Sequence, residues 1–208
     1  MPIEVLKSLR FITPGIIIVL FWSLLGSVTG DWKIEVPQSM TDATSYLPAI
    51  IAGLVYYLTP LRDWANRKHF GSINENIRQK MVEIGGAELD SPRSKWPKLR
   101  RLFYKIVDSD DSLKVHATRA YFNGYIWTTT ADTKAIALFF AAYALLHHFS
   151  FASQGALLGF GVFAAIALIC WPIGEIITRK HKAIGDEQLG IIEQFHKQQI
   201  IEYFSEDG

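Results

Sequence analysis

A short basic segment, "RSKWPKLRR", holds the residues of this 208-residue chain whose types and spacing most clearly suggest binding chemistry. Guanidinium and ammonium groups at this density attract phosphate, whether it belongs to a lipid headgroup, a nucleotide or RNA. The same charges also suit a solvated face beside an anionic leaflet, where they would only fix the orientation of the chain. The segment predicts a site for an anionic lipid or ligand at Arg93, Lys95, Lys98, Arg100 and Arg101.

A second pair of residues has a spacing that occurs in one class of nuclease. Arg62 precedes His69 by seven positions in "RDWANRKH". This spacing resembles the Arg-x(4–6)-His motif of HEPN-type ribonucleases, and the resemblance covers only this stretch. It implies that Arg62 and His69 of two protomers activate a ribose hydroxyl and stabilise the phosphate. The alternative is that Arg62 anchors a membrane helix. Because nine Arg and six His match so short a pattern about once by chance, we predict no catalytic residue and no enzyme.

The sequence predicts neither a metal site nor a cofactor. Its single cysteine, Cys170, excludes a disulfide framework or a cysteine zinc site within one chain. His147 and His148 are adjacent, so on a helix they project about 100° apart and cannot easily hold one metal ion together. The "GFGVFA" stretch has the glycine spacing of a dinucleotide site but no strand before it.

Long apolar runs define the elements that must position these residues. Residues 11–30 are uncharged and long enough, at about 1.5 Å per residue, to cross a hydrocarbon core of roughly 30 Å. Residues 44–61 form a second uncharged run, and 135–174 form a third that suits two helices with a turn near 150–155. The sequence therefore predicts an all-α, polytopic membrane protein with four transmembrane helices, at about 11–30, 44–61, 132–149 and 154–176.

The distribution of Lys and Arg predicts the orientation of these helices. The N-terminal tail, the middle segment and the C-terminal tail carry nearly all of the cations, whereas the two short connecting loops carry only Lys33. Cytoplasmic segments are the ones enriched in Lys and Arg. We therefore expect a multi-pass protein of the inner cell membrane with both termini in the cytoplasm.

The charged segments between and after the predicted spans carry helical patterns. Apolar residues recur at helical spacing through the middle segment, where Gly71 is expected to interrupt one helix and Gly85-Gly86 to stop another. This pattern predicts a small helical cytoplasmic domain. The resulting division is 1–61 (N-terminal tail and two spans), 62–131 (cytoplasmic helices), 132–176 (a hairpin of two spans) and 177–208 (a cytoplasmic amphipathic helix).

Small residues spaced four apart predict close packing between the spans, because they let helix backbones approach in lipid. The predicted packing positions are Gly26, Gly30, Ala49, Gly53, Gly155 and Gly159. No ionisable residue falls at mid-depth of the four predicted spans, which argues against ion-coupled transport and leaves a simple pore open.

Together these features predict a membrane effector or sensor that forms homo-oligomers and couples a basic cytoplasmic domain to the bilayer. A pore is one form that its action on the bilayer could take. The architecture resembles that of small membrane proteins of bacterial anti-phage (antiviral) defence, by analogy at the level of the fold alone. Two alternatives stay open: a scaffold that recruits a soluble cytoplasmic protein, and a membrane-tethered HEPN-like ribonuclease. The expected partners are the lipid bilayer, further copies of the chain and a soluble protein; nucleic acid is not expected.

Overall fold

The computed structural model describes residues 3–30 and 46–205, and this part of the chain is helical with no β-strand. The all-α class predicted from the sequence is confirmed. The helices are α1 (Ile3–Thr29), α2 (Leu47–Leu58), α3 (Pro60–Gly85), α4 (Trp96–Ser109), α5 (Asp111–Phe151), α6 (Gln154–Phe195) and α7 (Lys197–Ser205).

Within the described residues three helices, α1, α5 and α6, are long and apolar enough to cross a membrane, so the predicted count of four is wrong. The second predicted span, 44–61, corresponds to α2, which has 12 residues and a length of only about 18 Å. Thr59 ends α2 in an extended conformation, with φ −84° and ψ 149°, because the residue before Pro60 avoids the helical region. Residues 44 and 45, and the predicted loop before them, lie outside the described residues.

The chain divides into two compact units. The first unit comprises Met1–Arg67 and Tyr125–Ile176, and the second comprises Lys68–Gly124 and Ile177–Gly208. Helices α3, α5 and α6 contribute residues to both units. Gly71 does not interrupt α3, since an exposed glycine weakens a helix without breaking it. The predicted fourth span and the start of the C-terminal helix likewise form one continuous helix, α6.

Within the first unit, α1 and α5 run parallel. The hydroxyl oxygens of Thr13 and Tyr125 lie 2.9 Å apart, and farther along both helices the ring of Phe21 packs edge-on against that of Phe140, with centroids 5.8 Å apart. Because α1 and α5 run in the same direction, the chain has to return between them. The described part of that return includes α2.

Helix α2 packs antiparallel to the first half of α1 through small residues. A Cβ atom placed on Gly15 would collide with the carbonyl oxygen of Ala49, and one on Gly53 would lie 2.5 Å from the carbonyl oxygen of Phe11. The two backbones are therefore in direct contact, which only glycine permits at these positions. Gly15, which the sequence analysis did not single out, contributes as much to this contact as the predicted pair Ala49 and Gly53.

Helix α6 runs antiparallel to α1 and begins against the end of that helix. A Cβ on Gly155 would collide with the carbonyl oxygen of Val28, and one on Gly159 would lie 2.9 Å from Cδ1 of Leu25. The backbones of α1 and α6 are thus in close contact at the end where α6 starts.

A tight turn joins α5 to α6 within the stretch 150–155 where the sequence predicted it. Ala152 adopts a positive φ of 51°, and the Ser153 hydroxyl accepts a hydrogen bond of 3.2 Å from the backbone N–H of Ala156, which caps α6. Nδ1 of His148 lies 2.8 Å from the Ser153 carbonyl oxygen. One of the two adjacent histidines therefore helps to hold the turn.

The second unit has its own apolar core, built from five helices. Helix α4 supplies one complete buried face, and α3, α5, α6 and α7 cover it. The buried residues of this core are Met81, Val82, Ile84, Leu99, Leu102, Phe103, Ile106, Val107, Leu113, Leu189, Ile192 and Ile200. The apolar residues that recur at helical spacing in the middle and C-terminal segments are thus buried within one compact unit.

Candidate functional site

Helix α4 presents a basic face on the side opposite to its buried apolar face. Lys98, Arg101 and Lys105 are exposed and follow one another at helical spacing. Arg100 is exposed on the adjoining side, and Lys95 occupies the N-cap position, also exposed. We call these five residues the basic face of α4; it contains four of the five cations predicted to bind an anionic group and adds Lys105.

The cations of the basic face take no part in electrostatic interactions with the side chains around them. Within the described residues, none of the five makes an ion pair or a side-chain hydrogen bond. Lys95 and Lys98 stand at the N-terminus of α4, where no side-chain cap and no acidic residue is present. Because that end of a helix carries partial positive charge, cations there weaken the helix, whereas an anion bound beside them would stabilise it.

Arg93, the fifth predicted cation, is used within the second unit instead. Its guanidinium lies 5.2 Å from the centroid of the Tyr203 ring and donates a hydrogen bond to the Tyr203 carbonyl oxygen. The Tyr203 hydroxyl in turn donates to the Arg93 carbonyl oxygen at 3.4 Å. The geometry therefore assigns Arg93 to the docking of α7 and leaves the other four predicted cations exposed.

A second polar site, not foreseen from the sequence, lies in the first unit around Asp132 of α5. This carboxylate is 1 % exposed. Its Oδ1 accepts hydrogen bonds from the Tyr56 hydroxyl at 3.0 Å and from Nδ2 of Asn66 at 3.1 Å. Its Oδ2 lies 3.7 Å from Nε of Arg62, which is an ion pair without a hydrogen bond. We call these four residues the Asp132 cluster.

Helix α3 positions two members of the Asp132 cluster, Arg62 and Asn66. Arg62 and Asn66 lie one turn apart on α3, so they face α5 together, and Nδ2 of Asn66 also donates to the Arg62 carbonyl oxygen at 2.9 Å. The guanidinium of Arg62 stacks 4.5 Å above the Tyr57 ring. Buried charges in apolar surroundings are expensive unless paired, so a cluster of this kind in a helix able to span a membrane is a functional candidate.

This cluster was not predicted, although Asp132 is the first residue of the predicted third span, 132–149. The sequence feature that could have indicated the cluster is an acidic residue three positions before a forty-residue uncharged run. Its partners are 66 to 76 positions away in sequence, so their convergence is a property of the fold and could not be read from spacing.

Arg62 and His69, the pair with nuclease-like spacing, have different partners. Arg62 belongs to the first unit and pairs with Asp132. His69 belongs to the second unit, is buried, and has its Nδ1 3.0 Å from the Thr178 hydroxyl. Each side chain therefore has a packing role of its own.

The two remaining predicted packing residues lie near the end of α1. Gly26 is buried. Gly30 follows the last helical residue with φ 77°, and no described atom lies within 4 Å of a Cβ placed on it. Its left-handed conformation ends the helix, a position that favours glycine.

A third polar group, in the second unit, joins the start of α5 to the junction of α6 and α7. The carboxylate of Asp110 accepts hydrogen bonds from the hydroxyl and backbone N–H of Ser112 and from the N–H of Leu113, at 2.6, 2.8 and 3.3 Å. Its other oxygen lies 2.9 Å from Nε2 of His196. These donors, the Ser112 hydroxyl foremost, hold the pKa of Asp110 well below its usual range.

Comparison with known proteins found no family model, no curated protein and no solved structure that matches this chain. Among the described residues, no group of three His, Cys, Asp or Glu side chains is arranged to hold a metal ion. The basic face of α4 and the Asp132 cluster are therefore the two arrangements whose chemistry bears on function.

Proposed function

We propose that this chain is a membrane sensor or effector in which the basic face of α4 binds an anionic partner and the apolar helices act on the bilayer. The observation that carries the proposal is the set of exposed cations on α4. They are unpaired, and two of them stand at the helix end where they oppose its stability. Charges that neither pair nor stabilise their own helix are suited to a ligand.

The membrane assignment draws on the apolar surface of the first unit. Large side chains on α5 and α6 are exposed, including Phe139 at 58 %, Phe149 at 76 % and Leu168 at 66 %. Such a surface suits lipid, in which exposed apolar groups carry no penalty. We place α1, α5 and α6 across the inner membrane, with α2 packed beside α1.

Orientation follows from the cations and from the helix directions. The parallel course of α1 and α5, with α6 antiparallel to α1, puts the start of α1 and the late part of α6 at the same end of the bundle. Lys7 and Arg10 precede one apolar run, and Arg179 and Lys180 follow the other. By the positive-inside rule, we assign both termini and the second unit to the cytoplasm.

We propose that the chain forms homo-oligomers and that these oligomers permeabilise the bilayer. Several copies of a bundle with three long helices can enclose a path that one copy cannot, and ion-coupled transport is not required for it. The alternative of a scaffold uses the same basic face to recruit an acidic soluble protein. The ribonuclease alternative has less support, because Arg62 is engaged by Asp132 and His69 faces Thr178.

The test compares two triple variants of the full chain that remove the same charge. One variant replaces Lys98, Arg101 and Lys105 with Gln. The matched control replaces Lys80 and Lys114, which pair with Asp186 and Asp111, and Lys197, which is exposed on α7. We expect induction in a bacterial host to arrest growth and admit a membrane-impermeant dye, and we expect only the α4 variant to lose both effects.

Two results would replace the proposal with an alternative. RNA decay that is lost in Arg62→Ala and in His69→Ala would establish the ribonuclease. A soluble protein that co-purifies with the wild type, and is lost in the α4 variant without any dye entry in either, would establish the scaffold.

A further inference from the structure

The Asp132 cluster contains one hydrogen-bond acceptor more than its donors can satisfy. Oδ1 of Asp132 receives two hydrogen bonds, and Oδ2 faces Arg62. The amide oxygen of Asn66, in contrast, is buried and has no hydrogen-bond partner. The residue as a whole is only 4 % exposed, so solvent does not fill the gap.

A buried acceptor without a donor is unfavourable, because it has lost its hydrogen bonds to water and gained none in return. The orientation of the Asn66 amide is fixed by its nitrogen, which donates both to Asp132 and to the Arg62 carbonyl oxygen. Rotating the amide by 180° would place its oxygen against these two acceptors and lose both bonds. The cluster is therefore built to receive one additional small donor next to a carboxylate.

We propose that this donor is a proton and that Asp132 is a proton-binding site of the first unit. A protonated carboxyl gains the O–H donor that a carboxylate lacks, and it needs no coordination shell. An alkali cation suits the site less, because the guanidinium of Arg62 stands 3.7 Å from Oδ2 and would repel it.

The charged and titratable groups that face Asp132 define how the site responds. Arg62 approaches from α3 and Tyr56 from α2, and Lys134 lies two residues farther along α5 itself. Arg62 favours the carboxylate, whereas burial disfavours it. Protonation removes the charge partner of Arg62 and weakens the bond from Tyr56, since hydrogen bonds to a carboxylate are about twice as strong as those between neutral groups.

Proton uptake at Asp132 thus loosens both connections that tie α5 to its neighbours, α2 and α3. The guanidinium of Arg62 retains its contact with the Tyr57 ring and is free to turn toward solvent. The first unit thereby acquires a group through which pH changes the packing of its helices, independently of any ligand bound to the basic face of α4.

The experiment is an infrared titration of the full chain in lipid nanodiscs, which follows the C=O stretching band of protonated carboxyl groups. We expect one band from a buried carboxyl that grows on acidification, that is lost in Asp132→Asn and that persists in Asp63→Asn, a change at an exposed acid of α3. In Arg62→Gln, which keeps Asp132, the band should be stronger than in the wild type at the same pH, because the cation that faces the carboxylate is removed.

The titration is repeated in sodium and in a large organic cation at equal ionic strength. A midpoint that is the same in both salts supports the proton site, whereas one that sodium lowers would show that an alkali cation occupies it instead. If no band depends on Asp132, and Arg62→Gln produces none, the Asn66 oxygen is satisfied by a structural water only and the proposal is overturned.

Discussion

The hydroxyl of Tyr56 on α2 donates a 3.0 Å hydrogen bond to the carboxylate of Asp132 on α5, and both side chains are buried. This bond joins an apolar helix too short to cross a membrane to one long enough to do so. The other side of α2 is exposed, with Leu54 at 54 % and Leu58 at 75 %. Its position therefore depends on the contacts made by its buried face.

Tyr56→Phe should destabilise the first unit, because it removes the donor and leaves the ring in place. Polar contacts of this kind between membrane helices contribute about 1 kcal/mol, and we expect a loss of that size in denaturant unfolding of the full chain in detergent. The matched control is Tyr57→Phe, which keeps the ring beneath Arg62 and should change the free energy of unfolding by less than about 0.5 kcal/mol. Equal losses in both would contradict a specific role for the Tyr56 hydroxyl.

Gly15→Ala should separate α1 from α2. The added Cβ meets the backbone carbonyl of Ala49, which cannot rotate away as a side chain could. Such overpacking destabilises by about 1–3 kcal/mol. The control is Gly161→Ala on α6, where no described atom outside the helix's own backbone lies within 4 Å of the new methyl group. Thermal unfolding in detergent checks both, and a Gly15→Ala protein as stable as the wild type would show that the two helices are not in contact.

Tyr203→Leu should release α7 from the second unit. It removes the ring beneath the Arg93 guanidinium and the hydroxyl that donates to the Arg93 carbonyl oxygen. We expect limited proteolysis to cleave the C-terminal segment about ten times faster or more, because cleavage follows the population of the undocked helix. Phe195→Leu, at a position 67 % exposed, is the control and should leave the rate unchanged.

Asp110→Asn should weaken the second unit at neutral pH and have less effect in acid. The pKa of Asp110 is lowered in the folded chain, so its stabilisation is fully present above the unfolded pKa of about 3.9 and is lost as the pH falls through the folded value. Denaturant unfolding should show the full difference from wild type at about pH 5 to 7 and a shrinking one below about pH 4. A difference that grows in acid would contradict this assignment.

The sequence allowed the helical class, the turn between α5 and α6 and the amphipathic character of α4 to be predicted, because each depends on local patterns. The length of the uncharged runs identified the strongly apolar helices. It led to a wrong prediction for α2, because the length of an uncharged run does not reveal that one helix ends after Leu58 and another begins at Pro60. A count of spans from hydropathy alone cannot separate a full crossing from a short helix packed beside one.

The two candidate sites differ in how far the sequence could reveal them. The cations of α4 are neighbours in sequence, so their clustering could be predicted. The contact of Arg93 with Tyr203 could not, because it depends on where α7 packs. The Asp132 cluster joins residues from α2, α3 and α5. Nothing in the spacing of Tyr56, Asn66 and Asp132 distinguishes them from residues that never meet.

The basic face of α4 is tested most directly by lysine acetylation footprinting of the full chain in nanodiscs, with mass spectrometry at each residue. Three conditions are compared: neutral lipid alone, neutral lipid with added inorganic polyphosphate, and a bilayer containing phosphatidylglycerol. The anionic probe in solution and the anionic leaflet are thereby distinguished. Lys197, which is also exposed and lies away from the predicted spans, serves as the internal control.

If α4 binds an anionic partner, Lys95, Lys98 and Lys105 should be protected by at least one of the two anionic probes, about threefold or more, while Lys197 changes little. The protection should weaken as salt is raised. If all four lysines react equally in the three conditions, the cations of α4 form only a solvated surface, and the proposed function is contradicted.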